Sequence, residues 1–390
     1  MNYTDFLGAI LLLLLMNSCS QQVISAPNNT VTNIHYDLIT PQQFGAKGDG
    51  KADDSASLQQ AINYCVANNR KLFVPSGTYR TVTTLKISGT LVIEGETKTS
   101  AYIWYDPTGS ESLLTIDGER ETKDLRISNL KFGLRSFGKN KNNVHCILVK
   151  NSLISRLNIS NVEFFGFTGY GLYLTGKDTY GQNLAFRDLS FYRMGGVIGQ
   201  NNDRGISNWW TNLVVLDNIH LDAYSGHSIN LQSPQPYIVD LRGWRMLNIR
   251  NLLVEGAIQA PANIKASLRL GGGYTEEGSH YLGLGNVTVQ GFWEEWSSKS
   301  KPEYSVEFVD GVSVVSMEDV KAQKFLVTAN SMAVNISGLR MHGLNIADRF
   351  KLKGDAKVYL SNVYNSSEGI TAKKFSSVPN VQILSVIEKH

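Results

Sequence analysis

Leu125-Arg-Ile-Ser-Asn-Leu-Lys-Phe132 and Leu157-Asn-Ile-Ser-Asn-Val-Glu-Phe164 are two copies of one pattern: alternating apolar residues, an Asn, and a second short alternation. Side chains alternate across an extended strand, so each copy presents one apolar face. The unit returns at residues 184–191, 214–221, 247–254, 282–289, 316–322, 334–341 and 358–365, with Asp or Gly standing in for some of the Asn residues. With Leu130, Val162, Leu189, Ile219, Leu252, Val287, Val320, Leu339 and Val363 as register marks, the spacing runs from 19 to 35 residues. A strand pair this short cannot bury its apolar face alone, whereas stacked copies share a continuous core. Nine rungs at the usual inter-strand distance rise about 40 Å. A four-stranded propeller blade needs about 40 residues, longer than this spacing. The expected fold is all-β, a single right-handed parallel β-helix.

Such a stack needs a cap, because an open strand edge pairs with other chains. Residues 41–81 supply one. Asp53-Asp54-Ser55 can cap a helix whose apolar residues Leu58, Ala61, Ile62, Cys65 and Val66 fall at helical spacing. The strand Lys71-Leu72-Phe73-Val74-Pro75 and the turn Ser76-Gly77-Thr78-Tyr79 follow. Asp49, Asp53 and Asp54 read as turn and capping residues.

Phe44-Gly-Ala-Lys-Gly-Asp-Gly-Lys-Ala-Asp-Asp54, the helix after it and Val74-Pro-Ser-Gly-Thr-Tyr-Arg-Thr81 resemble the start of the pectate-lyase-like superfamily, which includes rhamnogalacturonases, family 28 hydrolases, polysaccharide lyases and phage tailspikes. The resemblance implies the β-helix fold and an opening segment that caps it without doing chemistry. It also implies a polysaccharide substrate lying across the outside of a parallel sheet, and a monomer or a trimer.

Composition agrees with a folded, strand-rich chain: of 390 residues, 42% are hydrophobic and 18% charged, with 35 Gly against 9 Pro. The net charge of +3 comes without a long basic run, so nucleic acid is not an expected partner. Leu7 to Met16 is an apolar run too short to span a bilayer but suited to a signal peptide, and Met16-Asn17-Ser18-Cys19 resembles a bacterial lipoprotein cleavage box. Residues 1–19 are therefore expected to direct export, with a lipid on Cys19 as the sole membrane attachment. Localisation would be the periplasm or outer membrane, or secretion if Cys19 is unmodified. Residues 20–37 read as a polar linker and 38–390 as the β-helix domain. Cys65 and Cys146 are expected as buried thiols.

Five of the six Trp, including Trp209, Trp210, Trp244 and Trp293, lie between residues 209 and 296, where flat aromatic faces could stack on sugar rings. Aligning three rungs puts Tyr170 and His227 in one column. Gly226-His-Ser-Ile229 resembles the Gly-His-Gly-Ile segment of family 28 polygalacturonases, in which the His lies beside the catalytic carboxylates; Gly169-Tyr170-Gly171 and Gly195-Gly196 stand where that family carries acids. Asp178 and Asp203, each seven residues past a matched Gly, could stack on neighbouring rungs roughly 5 Å apart. Such a pair suits the acid and base of glycoside hydrolysis. It could instead bind Ca²⁺ for β-elimination on a uronate, although no resident metal or cofactor is expected. Asp222 is a third acid. An elimination would take Tyr170, His227 or Tyr224 as base, with Arg204, Arg242 and Arg245 gripping a carboxylate. Glu294, in Gly291-Phe-Trp-Glu-Glu-Trp296, is a further acid bordering a sugar cleft. Hydrolysis leads these readings. Elimination on an acidic glycan and non-catalytic glycan binding are the alternatives.

Overall fold

The computed structural model describes residues 38–117, 122–135, 143–175, 179–200, 211–222, 235–256, 264–271, 283–296, 301–309, 312–328, 333–341, 349–365 and 379–387. The chain divides into Met1–Leu38 and Ile39–His390, and the first unit apart from Leu38 lies outside the described residues. The second unit is a right-handed parallel β-helix with one α-helix at its amino end. No helix among the described residues is long and apolar enough to cross a membrane.

That helix is Ser55–Asn68; it buries Leu58, Ala61, Ile62 and Cys65 and leaves Val66 partly buried. The three aspartates before it hold the turn. Asp54 accepts the backbone N–H groups of Lys47 (2.7 Å) and Gly48 (3.0 Å), Asp49 accepts those of Lys51 and Ala52, and Asp53 accepts that of Ser55. Those two N–H donors hold the Asp49 carboxyl below its ordinary range. The turn role read from the sequence is the one observed; Asp54 stands at the helix N-cap but its side chain bonds the turn before it and not the helix.

Ten strands, from Leu85–Ile87 to Phe350–Lys353, form one parallel sheet in strict chain order, and a second sheet of seventeen strands makes the remaining sides of each coil. Long strands of the larger sheet, such as Leu153–Phe165, Tyr180–Tyr192, Thr211–Asp222 and Trp244–Gly256, pair in register. Each turns a corner at a left-handed residue: Asn129, Asn161, Asp188, Asn218, Asn251, Asp319 and Asn362 all have φ between 50° and 57°. Asn and Asp tolerate this conformation better than other side chains. The repeated Asn of the sequence therefore marks a corner. The corner side chains also bond along the stack, Asn161 Nδ2 donating to Asn129 Oδ1 (2.8 Å) and Asn218 Nδ2 to Asp188 Oδ1 (2.7 Å). Asn161→Ala is expected to cost about 1–2 kcal/mol from lost conformation and hydrogen bond together. Urea denaturation checks this, and an unchanged midpoint would contradict the role.

One register mark moves. Leu252 pairs with Phe292, not Val287, and Gly291 (φ 73°) is the corner of that rung. Asn286-Val287 imitates the repeat, but the longer strand Gly283–Trp296 carries the bend five residues later. Inside, Phe164 stacks on Phe191 (4.6 Å between centroids, 4°) and Phe325 on Phe350. Cys65 and Cys146 are free and buried, and burial pushes both thiols up, Cys65 to about 11.

Candidate functional site

The ten-stranded sheet departs from simple alternation. In Tyr237–Arg242 the core takes Ile238, Val239 and Leu241, which leaves Tyr237, Asp240 and Arg242 on the outer face. The next two strands repeat this: Leu268 and Leu270 enter the core beside Arg269, and Val306 and Phe308 beside Glu307. Register pairs Asp240 with Arg269 and Arg269 with Glu307. An acid, a base and an acid thus form one outward column on three successive rungs.

These groups are shielded from water, Asp240 being 2% exposed and Glu307 8%. Arg242 grips Asp240 through Nε (3.0 Å to Oδ1) and Nη2 (2.9 Å to Oδ2). Arg269 lies between the acids, with Nη1 3.8 Å from Asp240 Oδ2 and Nε 3.4 Å from Glu307 Oε2. That Nε is buried without a hydrogen bond, an unused donor inside the cluster. The Arg269 guanidinium also lies 4.1 Å from the Tyr237 ring centroid. Burial pushes the Tyr237 phenol up to about 12; Arg269 opposes that shift, and Glu307 and Asp240 add to it.

Tyr170 borders this cluster but is no base. It is 4% exposed, and its hydroxyl donates to the Tyr237 carbonyl (2.8 Å). Burial, with Asp240 adding to it, holds the phenol well above its ordinary range. Its ring crosses the neighbouring strand Gly196–Gln200: a Cβ on Gly199 would stand 2.2 Å from Tyr170 Cε2, and one on Gly196 2.5 Å from its ring. Gly199→Ala is therefore expected to cost about 1–3 kcal/mol by displacing Tyr170, as thermal unfolding would show; an unchanged melting temperature would contradict the packing. Tyr170 in turn stacks near His145 and Tyr173, with His145 4.2 Å from the Tyr173 centroid.

His145 Nδ1 accepts the Tyr170 backbone N–H (2.9 Å), and burial lowers the imidazole to about 4. The unfolded chain binds that proton near pH 6.5, so the folded state loses stability as pH falls from about 6.5 toward 4, by about 3 kcal/mol for this group. Denaturation at pH 7 and pH 4.5 in wild type and His145→Gln checks this; the same acid loss in both proteins would contradict it.

Several expected site residues take other places. Ile198 pairs with Val239, which puts Tyr237 in the column of Tyr170 and Gly196, the place expected for His227. Trp244 is a core residue, 3% exposed, its Nε1 donating to Gln200 Oε1 (3.0 Å), so it is no sugar platform. Glu294 is buried as well, not on an outer wall. Its carboxylate accepts the Ser267 hydroxyl (2.6 Å), the Ser305 hydroxyl and Trp296 Nε1 (3.1 Å), and burial raises its pKa against the pull of these donors. Asp222 and Trp293 are on the other sheet. Asp222 shares an outward column with Glu255 and Glu295, while His220 bonds Glu255 (2.8 Å) and lines a groove of about 430 Å³ with Trp293. Lys321 and Arg340 lie over the Trp293 ring. Asp178, Asp203, Arg204, Trp209, Trp210, Tyr224, His227 and Cys19 fall outside the described residues, as does the side chain of Arg245. Among the described residues no group of three His, Cys, Asp or Glu is placed to hold a metal.

Asp240, Arg269, Glu307 and Tyr237 were not singled out from the sequence. A signal existed: Tyr-Ile-Val-Asp-Leu-Arg, Ala-Ser-Leu-Arg-Leu-Gly and Tyr-Ser-Val-Glu-Phe-Val each carry one charge at the fourth position between apolar residues.

Residues 40–124 match the family described as Rhamnogalacturonase A/epimerase, pectate lyase-like. The match is to the amino-terminal part of the parallel β-helix, the capping helix and the first coils. Among solved structures, the gp42 tailspike of Acinetobacter phage vb_AbaP_AS12 superposes with a TM-score of 0.51 at 12% identity, over 90% of this chain and 55% of the tailspike. The chain thus spans little more than half that protein's length. PfbA, a surface adhesin of Streptococcus pneumoniae, gives 0.46 at 13% identity over 84% of this chain and 90% of its own. The catalytic unit of a GH87 alpha-1,3-glucanase from Streptomyces thermodiastaticus gives 0.38 at 11% identity, over 90% and 68%.

Proposed function

We propose that this chain is an exported enzyme that cleaves glycosidic bonds of a polysaccharide by hydrolysis, on the outer face of the ten-stranded sheet. The observation that carries the reading is the column Asp240–Arg269–Glu307, two shielded carboxylates held one rung apart from a shared guanidinium. Two strand spacings separate their backbones by roughly 9.5 Å; the base and acid of an inverting hydrolase stand about 6.5–9.5 Å apart, carboxyl to carboxyl. Asp240, gripped by Arg242, is the base for that water, and Glu307 is the acid for the departing oxygen. Tyr237 beside Glu307 keeps its proton and offers a hydrogen bond and a ring edge to the sugar. The match of residues 40–124 to a rhamnogalacturonase and epimerase family supports a polysaccharide substrate. The run Leu7–Met16 supports export, and the box ending in Cys19 supports a lipid anchor.

Arg242 and Arg269 on neighbouring rungs favour a second reading, elimination on a uronate whose carboxylate the guanidinium groups hold, with calcium as an aid. Purified protein incubated with neutral and acidic polysaccharides separates the two. New reducing ends without ultraviolet absorbance from unsaturated uronides support hydrolysis. Both signals together overturn it in favour of elimination. Binding without either signal makes the chain a glycan-binding β-helix.

A further inference from the structure

A second pocket opens where the strand Gly283–Trp296 of the larger sheet leads into Tyr304–Val309 of the smaller one. It encloses about 420 Å³, within the range of small-molecule sites. Four cations line it, Lys301, Lys321, Lys324 and Arg349, against two acids, Glu294 and Glu295. The acids are already committed. Glu294 lies at the buried side, saturated by Ser267, Ser305 and Trp296. Glu295 pairs with Lys321. Arg349 is oriented by its donation from Nη1 to Gln323 Oε1 (3.0 Å).

Lys301 and Lys324 stand differently. Both are exposed, and among the described residues neither ammonium has a carboxylate within ion-pair distance. A backbone bond fixes where Lys324 leaves the chain: its N–H donates to Ser305 Oγ (3.2 Å), the hydroxyl that itself donates to Glu294. Trp296 and Pro302 add apolar wall. The pocket therefore has a buried acidic side, an apolar side and, at its mouth, two ammonium groups with no carboxylate within ion-pair distance among the described residues, the charge of Lys301 acting on Glu294 from further away. A charge-assisted bond from an ammonium to an oxyanion is about twice as strong as a neutral one.

We propose that this corner pocket binds an oxyanion group, carboxylate or sulfate, carried on a single sugar-sized unit, at a site separate from the Asp240–Glu307 face. The site stands whether or not that face is catalytic, because it rests on a different set of side chains.

Isothermal titration of the full-length protein with glucuronate, glucose 6-sulfate and glucose tests it. Heat of binding is expected for at least one charged sugar and not for glucose, with affinity falling at least tenfold in the double variant Lys301→Ala/Lys324→Ala. The control Lys357→Ala, an exposed lysine on a later rung, is expected to bind as wild type. Binding of glucuronate alone assigns the site to carboxylates, and binding of the sulfate alone assigns it to sulfates. Equal binding of glucose and the charged sugars, no binding of either charged sugar, or full affinity in the double variant would overturn the proposal. Since the readout is binding, it is independent of any loss of turnover in Asp240 or Glu307 variants.

Discussion

Glu307→Gln and Asp240→Asn are each expected to lower kcat/KM on the cleaved polysaccharide by about 10²–10⁴-fold, the usual contribution of a positioned acid or base. Both changes keep the side-chain shape and remove the charge. The loss should appear in kcat more than in KM, because the carboxylates act on the bond being broken and not on the bulk of the polymer. Each also leaves a guanidinium short of a carboxylate: Arg242 loses its bidentate partner in Asp240→Asn, and Arg269 loses Glu307 in Glu307→Gln. Removing one member of a buried pair typically costs about 3–5 kcal/mol, so circular dichroism at the assay temperature must show folded protein before activity is compared. Folded variants with wild-type turnover would move the chemistry away from this column. The counterpart on the other sheet is Asp222, Glu255 and Glu295, where substitutions are expected to leave turnover within about twofold.

Phe191→Ala is the substitution expected to cost most in stability, about 3–5 kcal/mol. The ring is fully buried and stacks face to face on Phe164 of the preceding rung. On the opposite side of the core, a Cβ on Gly171 would lie 2.4 Å from Phe191 Cε1, so the strand across the interior is already shaped to admit it. Guanidinium unfolding gives the measurement; a loss under about 1 kcal/mol would mean that the rungs relax into the cavity.

Much of the fold was legible because its signals are local. The corner Asn recurs where a left-handed residue is needed, and the apolar alternation on either side of it fixes which face enters the core. Gly291 shows the limit: a Gly corner after a long strand looked less like the repeat than Asn286-Val287 did, and the register mark was set on the imitation. The site was harder to see. On the ten-stranded sheet two adjacent residues, such as Ile238 and Val239, both enter the core, so strict alternation assigns Asp240 and Tyr237 to opposite faces. Their shared outer face comes from that irregularity, and Asp240 meets Glu307 through strand stacking across 67 residues of chain. Tyr170 does align with Gly196, but Tyr237 stands where the expected column has His227, and the burial that denies Tyr170 the role of a base depends on Gly196 and Gly199 one rung away. Trp244 illustrates the same blindness: only the Gln200 side chain, 44 residues earlier in sequence, reveals that its indole N–H is satisfied inside.

The most direct test of the account is a crystal structure of Glu307→Gln with an oligosaccharide of the polysaccharide the wild type cleaves. The account predicts a sugar chain across the outer face of the ten-stranded sheet, with a ring against Tyr237 and a glycosidic oxygen within hydrogen-bonding reach of residue 307. Sugar bound instead in the groove beside His220 and Trp293, with the Asp240–Arg269 column free of it, would contradict the assignment.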